Sequence, residues 1–117
     1  MKKYLVAVLF LSLLTAPLSL FADSMTPMQT AARQLQSDLN QALEQSSFNA
    51  RQRYAISQDA ASLVKASDRR AAGKRMNRRE LRESAKALLK AFDSGSFQVG
   101  DVSTLNYDFE QFKKSIR

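Results

Sequence analysis

The stretch that decides the fold is Thr26–Gln45, TPMQTAARQLQSDLNQALEQ. It opens with a helix start signal, because Thr26 suits the N-cap, Pro27 the first helical position and Gln29 the reciprocal position of a capping box. Apolar residues then recur at steps of four and three, which places them on one face of a helix. These residues are Met28, Ala32, Leu35, Leu39, Ala42 and Leu43. The stretch therefore predicts an amphipathic first helix that ends near Gln45 and buries this face against partners.

Two further helices are predicted downstream. Ser47 or Asn49 can cap a second helix that runs to about Ala66. Its apolar side is predicted to consist of Tyr54, Ile56, Ala60, Leu63 and Val64. After an interruption at Gly73, a third helix is predicted from roughly Met76 to Phe92, and Gly95 is suited to its left-handed C-terminal cap. The side chains predicted to face inward on this helix are Leu81, Ala85, Leu88, Leu89 and Phe92.

The last helix is predicted to begin around Ser103, with Leu105, Phe109, Phe112 and Ile116 along one face. Four amphipathic helices with short connections predict an all-α fold, an antiparallel up-down four-helix bundle. No segment shows the strict alternation that is typical of a strand. We expect one bundle domain over residues 23–117, and we expect it to be a monomer.

The N-terminus has the pattern of a secretory signal peptide. Two lysines precede the apolar run Tyr4–Leu14, and Pro17 follows. The run is shorter than the roughly 20 residues that span a bilayer. The pattern predicts a signal peptide over residues 1–22, with cleavage after Ala22 or Ser24, and hence a periplasmic or otherwise exported protein.

The composition excludes several classes of enzyme. The chain has no His and no Cys, so it has no Ser-His-Asp triad, no Cys nucleophile and no zinc site of the usual nitrogen and sulfur type. Glu80 and Glu83 are three residues apart, but basic residues surround them, and charge balance explains them better than acid–base catalysis. We therefore expect that the protein is not an enzyme.

Positive charge is concentrated between Lys65 and Lys90, where ten Lys and Arg face three acids. Along the third helix, basic residues at steps of three and four predict a continuous positive face, made of Arg75, Arg78, Arg79, Arg82, Lys86 and Lys90. Such a face attracts anions. Anionic lipid headgroups or an acidic protein fit an exported chain, and nucleic acid is not expected because the segment lacks stacking aromatics. A face that serves only solubility is the alternative.

With four helices, a Met at the start of the first and a basic, aromatic end to the last, the chain resembles the soluble cytochrome b562 family over essentially all of residues 23–117, at low identity and most clearly in two stretches. LLKAFDSGSF, Leu88–Phe97, resembles the third helix and glycine-containing turn of that family, and EQFKKSIR, Glu110–Arg117, resembles its closing helix. The family consists of exported four-helix bundles that bind one haem and transfer electrons. Its haem iron is held by a Met near the start of the first helix and a His near the end of the fourth.

The resemblance implies positions for the haem ligands. Met28 matches the family's Met, and Lys113, directly after Phe112, stands where the family has its His. Met28 and Lys113 are therefore the candidate axial ligands of a haem b, and an acidic redox protein would dock beside them. The alternative is a cofactor-free periplasmic binding or envelope-stress module that uses the basic helix face.

Overall fold

The computed structural model describes residues 25–116, and within this range it contains four α-helices and no strand. The helices are α1 (Pro27–Glu44), α2 (Ala50–Ala71), α3 (Arg78–Phe92) and α4 (Val99–Ile116). The prediction of an all-helical fold with four helices is confirmed. The predicted signal peptide, residues 1–22 with cleavage after Ala22 or Ser24, lies outside the described residues.

The starts of α1 and α2 are fixed by capping boxes. Thr26 Oγ1 accepts a hydrogen bond from the Gln29 amide at 3.2 Å, and Gln29 Oε1 accepts one from the Thr26 amide at 3.0 Å. Asn49 and Gln52 repeat the arrangement at the start of α2, at 2.8 and 3.0 Å. Each box satisfies two amides that the first helical turn leaves without partners.

Two helix boundaries differ from the predicted ones. α2 continues to Ala71 instead of ending near Ala66, because Gly73 supplies the residue that ends it. With φ at +74°, Gly73 lets the amides of Gly73 and Lys74 turn back to the carbonyls of Arg70 and Arg69, at 3.1 and 2.8 Å. This pair of bonds is a Schellman motif. α4 begins at Val99 and not at Ser103, so that Gly100 lies inside its first turn.

The helix ends are paired across the molecule. Gln29 at the start of α1 donates to Asp68 near the end of α2 at 2.9 Å. At the other end, the Ser47 amide of the α1–α2 turn donates to the Ser96 carbonyl of the α3–α4 turn at 3.0 Å. α1 packs against α2 and α4, and α2 packs against α3, whereas α3 and α4 make few contacts. This pairing is consistent with the predicted antiparallel bundle.

The apolar faces of the four helices meet in one core. Its fully inaccessible leucines are Leu35, Leu39, Leu63, Leu88 and Leu105. At the end of the bundle that contains the α1–α2 and α3–α4 turns, the core is closed by aromatic rings that pack edge to face. The distances between ring centroids are 5.1 Å for Phe48 and Phe97, 6.1 Å for Phe92 and Phe97, and 6.2 Å for Phe92 and Phe109. The opposite end of the bundle contains the α2–α3 turn, through which the positively charged stretch Lys65–Lys90 runs.

Two apolar residues do not lie where the spacing placed them. Leu89 of α3 was predicted to face inward and is 40 % exposed, and Tyr54 of α2 is 67 % exposed. Both sit at the margin of their helix's apolar face. Because α3 and α4 make few contacts, the margin of α3 that carries Leu89 stays accessible to solvent.

Candidate functional site

The predicted positive face exists as an exposed side of α3 and its leading turn. Arg75, Arg78, Arg79, Arg82, Lys86 and Lys90 are all exposed, and we call these six residues the basic face. Ser84, Leu88 and Phe92 on the other side of α3 are buried. One of the six charges is compensated locally, since Arg79 Nε lies 3.3 Å from Glu83 Oε1. The remaining five point to solvent without an acidic partner among residues 25–116.

The α2–α3 turn that leads into this face is tied to the neighbouring helices by arginines of α2. Arg69 Nε donates to the Arg75 carbonyl at 3.2 Å, and Arg70 Nη1 donates to the Ile116 carbonyl at the end of α4 at 2.6 Å. Cationic groups near the last carbonyls of a helix also complement its dipole. The positive charge of α2 is thus used to hold the turn, while that of α3 faces outward.

The acid near the end of α2, Asp68, is held by α1. Asp68 Oδ2 accepts a hydrogen bond from Arg33 Nη2 at 3.0 Å, and Asp68 Oδ1 lies 2.9 Å from Arg33 Nη1. Gln29 adds the hydrogen bond described above. The hydrogen bond from Arg33 lowers the pKa of Asp68 from its usual value, with a smaller contribution from Gln29. Since both side chains are more than a third exposed, the pair fixes geometry more than it adds stability.

A cleft between α2 and α3 adjoins the basic face. It measures about 370 Å³ and has cationic walls from Lys65, Arg69 and Arg75. Met76 and Leu81 give it an apolar side, Asn77 places the start of α3 beside it, and Glu80 adds one acidic side chain to its wall. Asn77 Oδ1 caps the Glu80 amide at 3.1 Å. A helix N-terminus flanked by cations favours an anionic group.

The two candidate axial ligands lie in different environments. Met28 is only 2 % exposed, and its sulfur lies 3.8 Å from Arg70 Nη1. Lys113 has a side chain that is 57 % exposed, and its Nζ donates to Glu110 Oε1 of the same helix at 3.3 Å. The structure therefore places Met28 in the core and Lys113 at the surface.

The donor set does not fit a haem iron. An ammonium that donates to a carboxylate offers no lone pair to a metal, and the Met28 sulfur is already in contact with a guanidinium. Within residues 25–116 no three acidic, His or Cys side chains come together as a metal site either.

Comparisons with known proteins assign no family. No protein-family model matches the chain, and neither does any curated protein or solved structure. The resemblance to soluble cytochromes b562 stays a prediction. None of the helices in the described part of the chain is long and apolar enough to cross a bilayer.

Sequence reasoning missed the cationic walls of the cleft. Lys65 and Arg69 are four residues apart on α2, so they share a face, and they line both the α2–α3 cleft and a second depression of about 420 Å³ between α1 and α2. Their spacing was visible, but the predicted end of α2 near Ala66 left Arg69 outside the helix. Only the extension of α2 to Ala71 brings Arg69 into line with Lys65.

Proposed function

We propose that this protein is an exported helical bundle that binds anionic membrane surfaces through the basic face. The observation that carries the proposal is the exposure of all six basic residues along one side of α3. A helix of 15 residues is about 22 Å long. The charges of the basic face therefore lie along a line, and a flat anionic surface can contact all of them at the same time. Each such charge contributes about 1 kcal/mol near an anionic leaflet.

The cleft supports a lipid more than a soluble anion. Its cationic walls and the start of α3 suit a phosphate group, while Met76 and Leu81 offer an apolar surface beside it. Leu89, 40 % exposed on α3, adds apolar surface near the face. A phospholipid headgroup with the first carbons of its chains has the same combination of charge and apolar surface.

An acidic protein partner is less well supported. Tight protein interfaces centre on a few anchors that fill pockets, chiefly aromatic residues and arginines. The basic face offers four arginines for this role but no aromatic residue. The only aromatic residue of α3 is Phe92, which is 2 % exposed and belongs to the core. The exposed tyrosines, Tyr54 and Tyr107, lie on α2 and α4. Long-range attraction to a charged surface needs no such anchors.

The test is binding to vesicles of phosphatidylcholine with and without phosphatidylglycerol. We expect binding only to the anionic vesicles, and we expect it to weaken between about 25 and about 250 mM salt because the contacts are screened. The triple variant Arg78→Gln, Arg82→Gln, Lys86→Gln should lose about 3 kcal/mol of binding free energy, or roughly a hundredfold in affinity.

A matched variant separates position from net charge. Arg51→Gln, Lys113→Gln, Lys114→Gln removes the same number of charges from exposed positions outside the basic face, and it should retain most of the binding. Equal losses in both variants, or equal binding to uncharged vesicles, would contradict the proposal. Binding to polyglutamate but not to the vesicles would favour an acidic protein partner instead.

A further inference from the structure

A groove between α1 and α4 differs in character from the basic face. It measures about 640 Å³. Pro27 and Ala31 of α1, Met25 before it and the ring of Tyr107 on α4 supply apolar walls. Tyr107 is 65 % exposed, so most of its ring is open to solvent.

A buried carboxyl group lies in the wall of this groove. Asp108 is 6 % exposed, and its Oδ2 atom is inaccessible to solvent and has no hydrogen-bond partner within residues 25–116. Buried carboxylates normally have donors or a counter-ion, since an unpaired one is costly. Within residues 25–116 this oxygen therefore has no cationic or donating partner, and the Asp108 side chain itself forms part of the groove wall.

The neighbours of Asp108 do not fill this role. From α1 the facing group is the Asp38 carboxyl, which itself accepts a bond from Gln34 Nε2 at 3.0 Å. Burial of Asp108, together with its hydrogen bond and like-charge contact with Asp38, raises the pKa of Asp108 to about 7. The bond from Asp108, followed by that from Gln34, lowers the pKa of Asp38. The two acids thus share a proton, which compensates part of their negative charge. A cation beside Asp108 would compensate the same charge.

We propose that the α1–α4 groove binds an organic cation with an apolar stem, whose ammonium or guanidinium head pairs with Asp108. The stem lies against Pro27 and Ala31, and the head lies near the exposed ring of Tyr107, which favours a cation through its π face. The other charged side chain in the groove wall is Lys114. Asp101, whose Oδ2 is buried with no hydrogen-bond partner within residues 25–116, lines a separate depression together with Asp38.

The proposal predicts that binding is linked to proton release. A cation that pairs with the Asp108 carboxylate must displace the proton that the acid pair holds, so affinity rises as pH increases through about 7. Binding to anionic surfaces through the basic face does not involve Asp108. Failure of one proposal leaves the other intact.

Hexylammonium is a suitable probe, with hexan-1-ol and hexanoate as neutral and anionic controls of similar length. Binding is followed by the backbone amide shifts of the isotope-labelled protein. We expect hexylammonium to shift amides of α1 and α4 around Ala31 and Asp108, with affinity roughly tenfold or more higher near pH 8 than near pH 5. The two controls should bind more weakly, because neither can pair with a carboxylate.

Two variants decide the assignment. Asp108→Asn keeps the shape of the side chain and should lower the affinity near pH 8 roughly tenfold and remove its pH dependence. Tyr107→Ala changes an exposed residue and should also weaken binding without unfolding the protein. The proposal is overturned if hexan-1-ol binds as well as hexylammonium, if Asp108→Asn binds equally well, or if no α1 or α4 amide shifts.

Discussion

The outer face of α3 and the α1–α4 interface both bring like charges together, at very different cost. On α3 the six basic side chains project into water, where a high dielectric constant and salt screen their repulsion. At the α1–α4 interface Asp38 and Asp108 meet in a packed environment, and the pKa of Asp108 is raised to about 7 as a result. Like charges are therefore tolerated side by side at the surface, whereas in the interface the acid pair retains a proton.

The two regions also differ in what they contribute to the fold. α1 and α4 supply much of the inaccessible core, including Leu35, Leu39, Leu105 and Phe112. The exposed side of α3 buries nothing and keeps its charges available. We infer that stability depends mainly on the shared core, to which α1 and α4 contribute these side chains, whereas surface binding depends on the exposed side of α3, and the following predictions test this division.

The largest expected effect is on core packing. Leu105→Ala removes a side chain that is 0 % exposed and should destabilise the protein by about 2–5 kcal/mol, through lost burial and the cavity left behind. Leu89→Ala, at a position that is 40 % exposed, should cost less than about 1 kcal/mol. Urea denaturation of both variants measures the difference. Similar losses would mean that the α3 margin is as tightly packed as the α1–α4 interface.

The second effect is the pH dependence of stability that the acid pair produces. Because the folded-state pKa of Asp108 is raised from 3.8 to about 7, its protonated form stabilises the fold. This contribution is complete below about pH 4 and is lost as the pH rises through about 7. The pKa values of Asp38 and Asp68 are lowered instead, so their contributions are lost as the pH falls below the usual carboxyl range. Stability should therefore be highest in mildly acidic solution.

Asp108→Asn should remove the decline towards alkaline pH. Each pH unit between the two pKa values corresponds to about 1.4 kcal/mol, and Asp38 offsets part of this, so we expect the variant to be more stable by on the order of 2 kcal/mol near pH 8. Below about pH 4 the two proteins should melt together, because Asp108 is then protonated in both the folded and the unfolded state. Asp93→Asn, at an exposed acid just after α3, removes the same charge and serves as the control in thermal melts. A parallel gain in that control would assign the effect to net charge.

The helices were predictable because their signals are local. The Thr26–Gln29 capping box, the steps of four and three in α1, and the left-handed Gly95, with φ at +80°, are all set by neighbouring residues. The errors arose where distant contacts decide. Leu89 has the right spacing for the core but faces a side where α3 and α4 make few contacts, and no local pattern reports that.

The candidate sites divide in the same way. The basic face followed from helical spacing alone, and all six residues are exposed as that spacing requires. The contact between Asp38 and Asp108 could not be predicted in this way, because the two residues are far apart in sequence and each occupies an ordinary polar position of its own helix. The side chain of Lys113 pairs with Glu110, a contact at a spacing of three that local charge patterning can account for.

The smallest expected effect on stability belongs to the basic face itself. Arg82→Gln together with Lys86→Gln changes two exposed side chains with no acidic partner within residues 25–116, so the free energy of unfolding should change by less than about 0.5 kcal/mol. Any change should be towards higher stability at low salt, because repulsion along α3 is reduced, and it should vanish at about 1 M salt, where the screening length is only about 3 Å. Denaturation at both salt concentrations measures this. A large loss of stability would show that the charges of α3 also support the fold, and binding would then no longer be separable from stability.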